Sequence, residues 1–253
     1  MHIDSEGQGP DLVLLHGWAM HSGIFAPLAR ELASRFRLHL VDLPGHGYNR
    51  DTPERLELID SARRIAAATP RAIWLGWSLG GLIALRAALD EPAQVRGLVM
   101  IASSPRFVVG PDWPEGVAAP VFAEFGAGLA RDYRRTIERF IALETMGSDQ
   151  SRAELRDLKA HVFERGEPTL SALNDGLAIL DHADLRAKVS SLTMPSLWIA
   201  GRRDRLIQPA AMRWAAEQSR GRYLECDSGH APFLAHAASL ANAIAEFAAE
   251  LPA

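Results

Sequence analysis

The chain has 253 residues, 48% apolar and 23% charged, with 27 Lys and Arg against 31 Asp and Glu for a net charge of -4. That balance supports a sizeable core of its own, excludes a disordered chain, and leaves no global positive field to hold nucleic acid or an anionic membrane. Cys226 is the single cysteine, so an internal disulfide, a zinc framework and a Cys-x-x-Cys redox motif are all excluded, and a reducing compartment is expected.

In chain order, the opening MHIDSEGQGP carries acids where a secretory leader would carry Lys or Arg. No apolar run approaches the roughly 20 residues of a membrane span, so a cytoplasmic protein is expected. Short apolar runs follow at Asp11–Leu15 (DLVLL), 38–41 (LHLV), 72–75 (AIWL), 97–102 (GLVMIA) and 196–200 (SLWIA), alternating with helical patterns through the first part of the chain. These runs are continuous rather than alternating, as in strands covered on both faces, and they predict an α/β fold with a mostly parallel sheet flanked by helices. Arg222–Cys226 (RYLEC) is a sixth candidate of mixed pattern. Between residues 106 and 192 no comparable strand appears, while Tyr133, Ile137, Phe140 and Ile141 fall on one helical stripe and Leu170, Leu173, Leu177 and Leu180 on another. The expected organisation is therefore a core of residues 1–105 and 193–253, with 106–192 a helical lid inserted over the carboxyl edge of the sheet, all in one domain.

Gly76-Trp77-Ser78-Leu79-Gly80 fits Gly-x-Ser-x-Gly between a predicted strand and a helix-compatible run over 79–89. A sharp strand-to-helix turn holds such a serine in strained φ/ψ, so its neighbours must be small. The plainer alternative is an ordinary glycine-flanked turn. A serine hydroxyl needs a base, and the base an orienting group. Asp204, just past the 196–200 run, and His230, just past RYLEC, supply both at predicted strand ends in the chain order Ser, acid, His. Asp227, three residues before His230, competes with Asp204 and is expected to cap a turn instead. LLHGW at 14–18 follows the first apolar run, so the backbone N–H groups of Trp18 and Leu79 are candidate oxyanion donors. Trp18, Trp77 and Phe140 are expected to wall an apolar acyl slot. His2, His21, His39, His46, His161, His182 and His236 have no comparable placement and read as surface or packing residues. No metal or nucleotide motif is present, and no cofactor is expected.

With HGW, DLPGHG, GWSLGG, GRRD and GHAPF in this order, the chain resembles the α/β-hydrolase superfamily over its full length. More narrowly it resembles the family of pimeloyl-[acyl-carrier protein] methyl ester esterases, on LVLLHGW, LHLVDLPGHG, AIWLGWSLGGL, IASSP, DWP, RRTIERFIALETMG and HAPF. The resemblance implies an α/β-hydrolase fold with Ser78 as nucleophile, His230 as base, Asp204 as orienting acid, and the Trp18 and Leu79 amides as oxyanion donors. It further implies that Arg135, Arg139, Arg152 and Arg156 receive an acidic acyl carrier protein. Charge counting alone does not single them out, because residues 131–165 also hold many acids and a solvated, salt-bridged surface would look the same. Yet 135/139 and 152/156 are i, i+4 pairs, and like charges so placed are mildly destabilising without a partner. The chain departs from the family at Asn49, where Ser is usual, and after the acid loop, where Gln208 displaces the proline to Pro209.

The activity expected is hydrolysis of a methyl ester on a carrier-linked acyl chain by a cytoplasmic monomer that also accepts short-chain esters and binds neither nucleic acid nor membrane. Two alternatives stand beside it: a broad short-chain carboxylesterase or lactonase without carrier docking, and a ligand receptor that keeps a hydrolase scaffold.

Overall fold

The structure is a computed structural model and describes residues 1–118, 120–145, 156, 158–159 and 162–252. Seven strands, β1 (Ile3–Gly7), β2 (Asp11–Leu15), β3 (Arg37–Val41), β4 (Ala72–Trp77), β5 (Val95–Ile101), β6 (Ser196–Gly201) and β7 (Arg222–Cys226), form one sheet in the order β1-β3-β2-β4-β5-β6-β7. All pairings are parallel except β1 with β3. The runs expected at β2, β3, β4, β5, β6 and β7 are strands, and the chain is an α/β hydrolase fold with helices flanking a mostly parallel sheet. β1 escapes sequence reading because IDSEG has no apolar run: as an edge strand it needs only the exposed side of β3, pairing Ile3 with Val41 and Gly7 with Arg37.

Strand order reverses at the middle of the sheet. From β2 the chain passes outward to β3, then crosses to β4 on the other side of β2, with Leu15 opposite Gly76 at the carboxyl ends. That reversal leaves a crevice beyond the ends of β2 and β4, the usual ligand position in open parallel sheets. Helix α1 (Ala26–Leu32) and helix α2 (Leu58–Ala68) follow β2 and β3, and α3 (Leu79–Asp90) follows β4. α3 has no charged residue before Arg86 and is buried along nearly its whole length, as its apolar sequence requires.

Between β5 and β6 lie α4 (Pro120–Arg131), α5 (Tyr133–Thr145), α6 (Leu170–His182) and the short α7 (Arg186–Val189). Ile137, Phe140, Ile141, Leu173, Leu177 and Leu180 are buried in the same cluster as the sheet residues. Leu170 differs from expectation and is 48% exposed; at about 100° per residue it sits at the edge of the α6 stripe, in the first turn after the Thr169 cap. The inserted segment leaves and returns side by side: Leu185 N–H donates to Pro105 O at 2.9 Å, and Arg106 pairs with Asp184 at 2.7 Å. The Asp184 carboxyl is held down to about 2, chiefly by the Arg186 guanidinium. The chain then closes with α8 (Pro209–Gln218), α9 (Pro232–Ala235) and α10 (Ala237–Ala249). Pro209 takes the first position of α8, where its missing N–H costs nothing, and Gln208 is the cap before it.

Candidate active site

β4 ends at Trp77 and α3 begins at Leu79, so Ser78 alone makes the turn, at φ 53° and ψ -120°. A residue with a Cβ is strained there. Its neighbours hold it: the Ser78 N–H donates to Ile101 O at 3.1 Å. A Cβ on Gly76 would lie 2.4 Å from Gly80 O, and one on Gly80 would lie 2.2 Å from Leu15 O. Only glycine lets strand, helix and the end of β2 approach so closely.

His230 follows β7 and reaches Ser78, with Nε2 2.9 Å from Oγ, while its Nδ1 lies 2.7 Å from Asp204 Oδ2. The second Asp204 oxygen accepts the N–H groups of Leu206 at 2.8 Å and Ile207 at 2.9 Å. An ionised carboxylate only accepts, so Nδ1 carries the ring proton and Nε2 is left to accept from the serine hydroxyl. Exposures of 2% for Ser78, 7% for Asp204 and 0% for His230 place this chain of contacts out of water, where hydrogen bonds and charges act more strongly. Asp227 lies elsewhere: it is exposed, 3.0 Å from an Arg203 nitrogen, an ion pair rather than the turn cap expected of it.

The loop after β2 runs beside Ser78. A Cβ on Gly17 would meet Ser78 Cβ at 3.3 Å and the Trp77 ring at 3.0 Å. Among the described residues neither the Trp18 nor the Leu79 N–H donates to another backbone group. Both are therefore available to an oxygen developing charge near Ser78. Trp18 is pinned by its indole N–H on Leu173 O at 2.8 Å and meets Phe140 with ring centroids 4.6 Å apart, which brings α5 and α6 down onto the crevice. Trp77 packs on the other side, its N–H donating to His230 O at 2.8 Å and its ring 5.1 Å from Phe233. Sequence offered no signal for this buttress, because the two partners lie 153 residues apart.

Behind the same loop is a polar cluster that motif spacing did not reveal. His16 donates from Nδ1 to Gly17 O at 2.8 Å and accepts the Leu43 N–H on Nε2 at 3.0 Å. Burial, reinforced by the His46 ring 5.2 Å away, drives its pKa down to about 3. Burial likewise lowers His46 to about 4. Asn49 belongs here too, its amide donating to Asp42 O at 3.1 Å.

Of the four arginines singled out, Arg135 and Arg139 are exposed on α5, and neither guanidinium has an ion-pair partner among the described residues. Arg156 is exposed; Arg152 lies outside the described residues, as does His161. Arg134, immediately before Arg135 in sequence, pairs with Glu167. Among the described residues no cluster of three or more His, Cys, Asp or Glu could hold a metal ion, and no helix is long and apolar enough to cross a membrane.

The model of the alpha/beta hydrolase family matches residues 12–243. A pimeloyl-[acyl-carrier protein] methyl ester esterase of Xanthomonas campestris pv. campestris is 56% identical over 254 residues, covering 100% of both chains. A protein of the same name from Stenotrophomonas maltophilia is 55% identical, covering 99% of this chain and 97% of its own. Among solved structures, an esterase from Exiguobacterium antarcticum superposes with a TM-score of 0.88 at 19% identity, covering 98% of this chain and 95% of its own, a likeness of fold.

Proposed function

Because the chain belongs to the alpha/beta hydrolase family, and within it to the pimeloyl-[acyl-carrier protein] methyl ester esterases, we propose that it is a serine carboxylesterase that hydrolyses the methyl ester of pimeloyl-[acyl-carrier protein] and releases methanol in biotin synthesis. The observation that carries the chemistry is the continuous hydrogen-bonded line from Ser78 Oγ through the His230 ring to Asp204 Oδ2, at 2.9 and 2.7 Å.

As Ser78 Oγ attacks the ester carbonyl carbon, its proton passes to His230 Nε2, and Asp204 steadies the resulting imidazolium. The carbonyl oxygen becomes an oxyanion and takes the N–H groups of Trp18 and Leu79. Collapse breaks the bond to the methoxy oxygen, which leaves as methanol with the proton from Nε2. Water then gives a proton to the same nitrogen and attacks the acyl-enzyme, and the second collapse returns the proton to Ser78 as the free acid departs. No cofactor enters these steps.

Trp18, Trp77 and Phe140 wall the acyl slot, the Trp77 ring standing 5.8 Å from that of His230. Residues 106–192 act as a lid within a single domain. Arg135, Arg139, Arg152 and Arg156 dock the acidic carrier protein, supported by the exposed guanidinium groups of Arg135 and Arg139 on α5, which have no ion-pair partner among the described residues. The enzyme works as a cytoplasmic monomer, without nucleic acid or membrane.

The test compares turnover of methyl pimeloyl-carrier protein with that of a free short methyl ester, in wild type, Ser78→Ala and Arg135→Glu/Arg139→Glu. Charge reversal is expected to lower kcat/KM at least about tenfold for the carrier-linked ester alone, two lost ion pairs at a rim being worth roughly that. Raised salt should weaken the same substrate selectively. Equal losses on both esters would leave a broad short-chain carboxylesterase or lactonase, and multiple turnovers undiminished in Ser78→Ala would remove the serine mechanism.

A further inference from the structure

The two candidate oxyanion donors belong to two peptide groups, 17–18 and 78–79, both trans. In a planar trans peptide the C=O and N–H point in opposite directions. Whatever fixes the carbonyl therefore aims the N–H.

Both carbonyls are held from behind by a buried side chain. Gly17 O accepts the His16 Nδ1–H at 2.8 Å, with the Met20 N–H a longer second donor at 3.3 Å. The His16 tautomer is fixed from its far side, because Nε2 must be unprotonated to accept the Leu43 N–H at 3.0 Å. Ser78 O accepts the Ser103 hydroxyl at 2.7 Å, with the Gly81 N–H at 2.9 Å beside it. His16 and Ser103 are both fully buried. Gly81 points the same way: a Cβ there would stand 2.3 Å from Ser103 Oγ and 2.4 Å from its Cβ, so the last glycine of GWSLGG makes room for that hydroxyl rather than for the turn.

We propose that His16 and Ser103 are positioning residues for ester hydrolysis, each clamping the carbonyl end of a peptide so that the Trp18 and Leu79 N–H groups converge on the oxyanion. This rests on the serine-esterase mechanism with those two amides as donors. Neither side chain touches the reacting atoms; both act through the backbone. With the pKa of His16 near 3, its clamp does not titrate near neutral pH.

Ser103→Ala is the leading test, because Ser78 O keeps the Gly81 N–H and no carbonyl is orphaned. Deleting an oxyanion donor costs about 10² to 10³ in rate, and a donor left present but loosely aimed should cost roughly tenfold in kcat. KM should stay within about twofold, because the ground state does not use these donors fully. Affinity for an alkyl boronic acid, whose serine adduct puts an oxygen in the same place, should fall by the same factor as kcat. The acidic limb of the pH–rate profile should not move, since the His230 contacts are untouched. His16→Phe should show a similar loss, and His16→Asn, whose amide can donate where Nδ1–H stood, should recover most of it.

If kcat and boronic acid affinity of folded Ser103→Ala stay within about twofold of wild type, the proposal is overturned. A loss accompanied by a displaced pH limb would also overturn it, as general loosening of the site. Should His16→Phe fail to fold, the serine variant decides alone. Ser78→Ala separates the two levels: undiminished turnover there ends the serine mechanism, whereas a dead Ser78→Ala beside an unaffected Ser103→Ala ends only the clamp.

Discussion

At Asp204 one oxygen holds the His230 ring while the other accepts two backbone N–H groups, from Leu206 and Ile207. Asn in this place has a single acceptor oxygen. If that oxygen serves the two backbone donors, the amide NH₂ faces His230 Nδ1, turns it into an acceptor and puts the ring proton on Nε2, against Ser78. If it serves the ring, the NH₂ meets two N–H groups head on. Asp204→Asn is therefore expected to lower kcat by about 10³ to 10⁴, measured with a chromogenic short ester. A loss below tenfold would mean that the carboxylate does not set the tautomer. Ser78, Asp204 and His230 were legible because each sits just past a strand, with glycines marking the tight turn at Ser78. His16 and Ser103 were not, since a histidine beside a glycine and a serine in a loop are common; only the carbonyls they meet make them distinctive. Trp77 stands between these cases: it belongs to the motif, but its bond to His230 O is invisible in local sequence.

At the scale of elements, the approach of α3 to the end of β2 depends on Gly80. A methyl group there would press on Leu15 O at 2.2 Å and His16 O at 2.6 Å, both backbone atoms with little freedom to yield. Gly80→Ala should destabilise the fold by about 2 kcal/mol or more, as overpacking against backbone does, and should also lower kcat by displacing the loop that carries Trp18. Gly126, inside α4, is the matched control. Its nearest neighbour would be Leu177 Cδ1 at 3.9 Å, so Gly126→Ala should be neutral or gain about 0.5–1 kcal/mol from helix propensity. Urea denaturation of the two variants checks both, and equal stability would deny the close approach. The same elements show where sequence reading succeeds. β2, β4 and β6 carry uninterrupted apolar runs because both faces are covered; β1 carries none because its outer edge and face meet water.

For the whole molecule, acid is the condition under which buried histidines matter most. His16 and His46 are neutral in the folded state, with pKa values of about 3 and about 4, against an ordinary value of 6.5. The unfolded chain thus binds more protons below pH 6.5, so stability is present above that value and is lost as pH falls toward 4. At pH 5 both rings are still neutral in the fold and mostly protonated when unfolded, which costs about 2 kcal/mol for each relative to pH 8. Urea midpoints should fall accordingly between pH 8 and pH 5, and an unchanged midpoint would contradict the burial of these rings as neutral groups. The amino-acid sequence by itself determined the layered α/β architecture, the helical insertion and the chain order of serine, acid and histidine, because apolar periodicity and turn chemistry act over neighbouring residues. Only the tertiary structure decided that Ser78, Asp204 and His230 meet within hydrogen-bonding distance, that α5 and α6 bring Phe140 and Leu173 onto Trp18, and that buried side chains grip the two peptides beside Ser78. Those contacts join residues distant along the chain, and their geometry depends on strand order, register and close packing rather than on any local pattern.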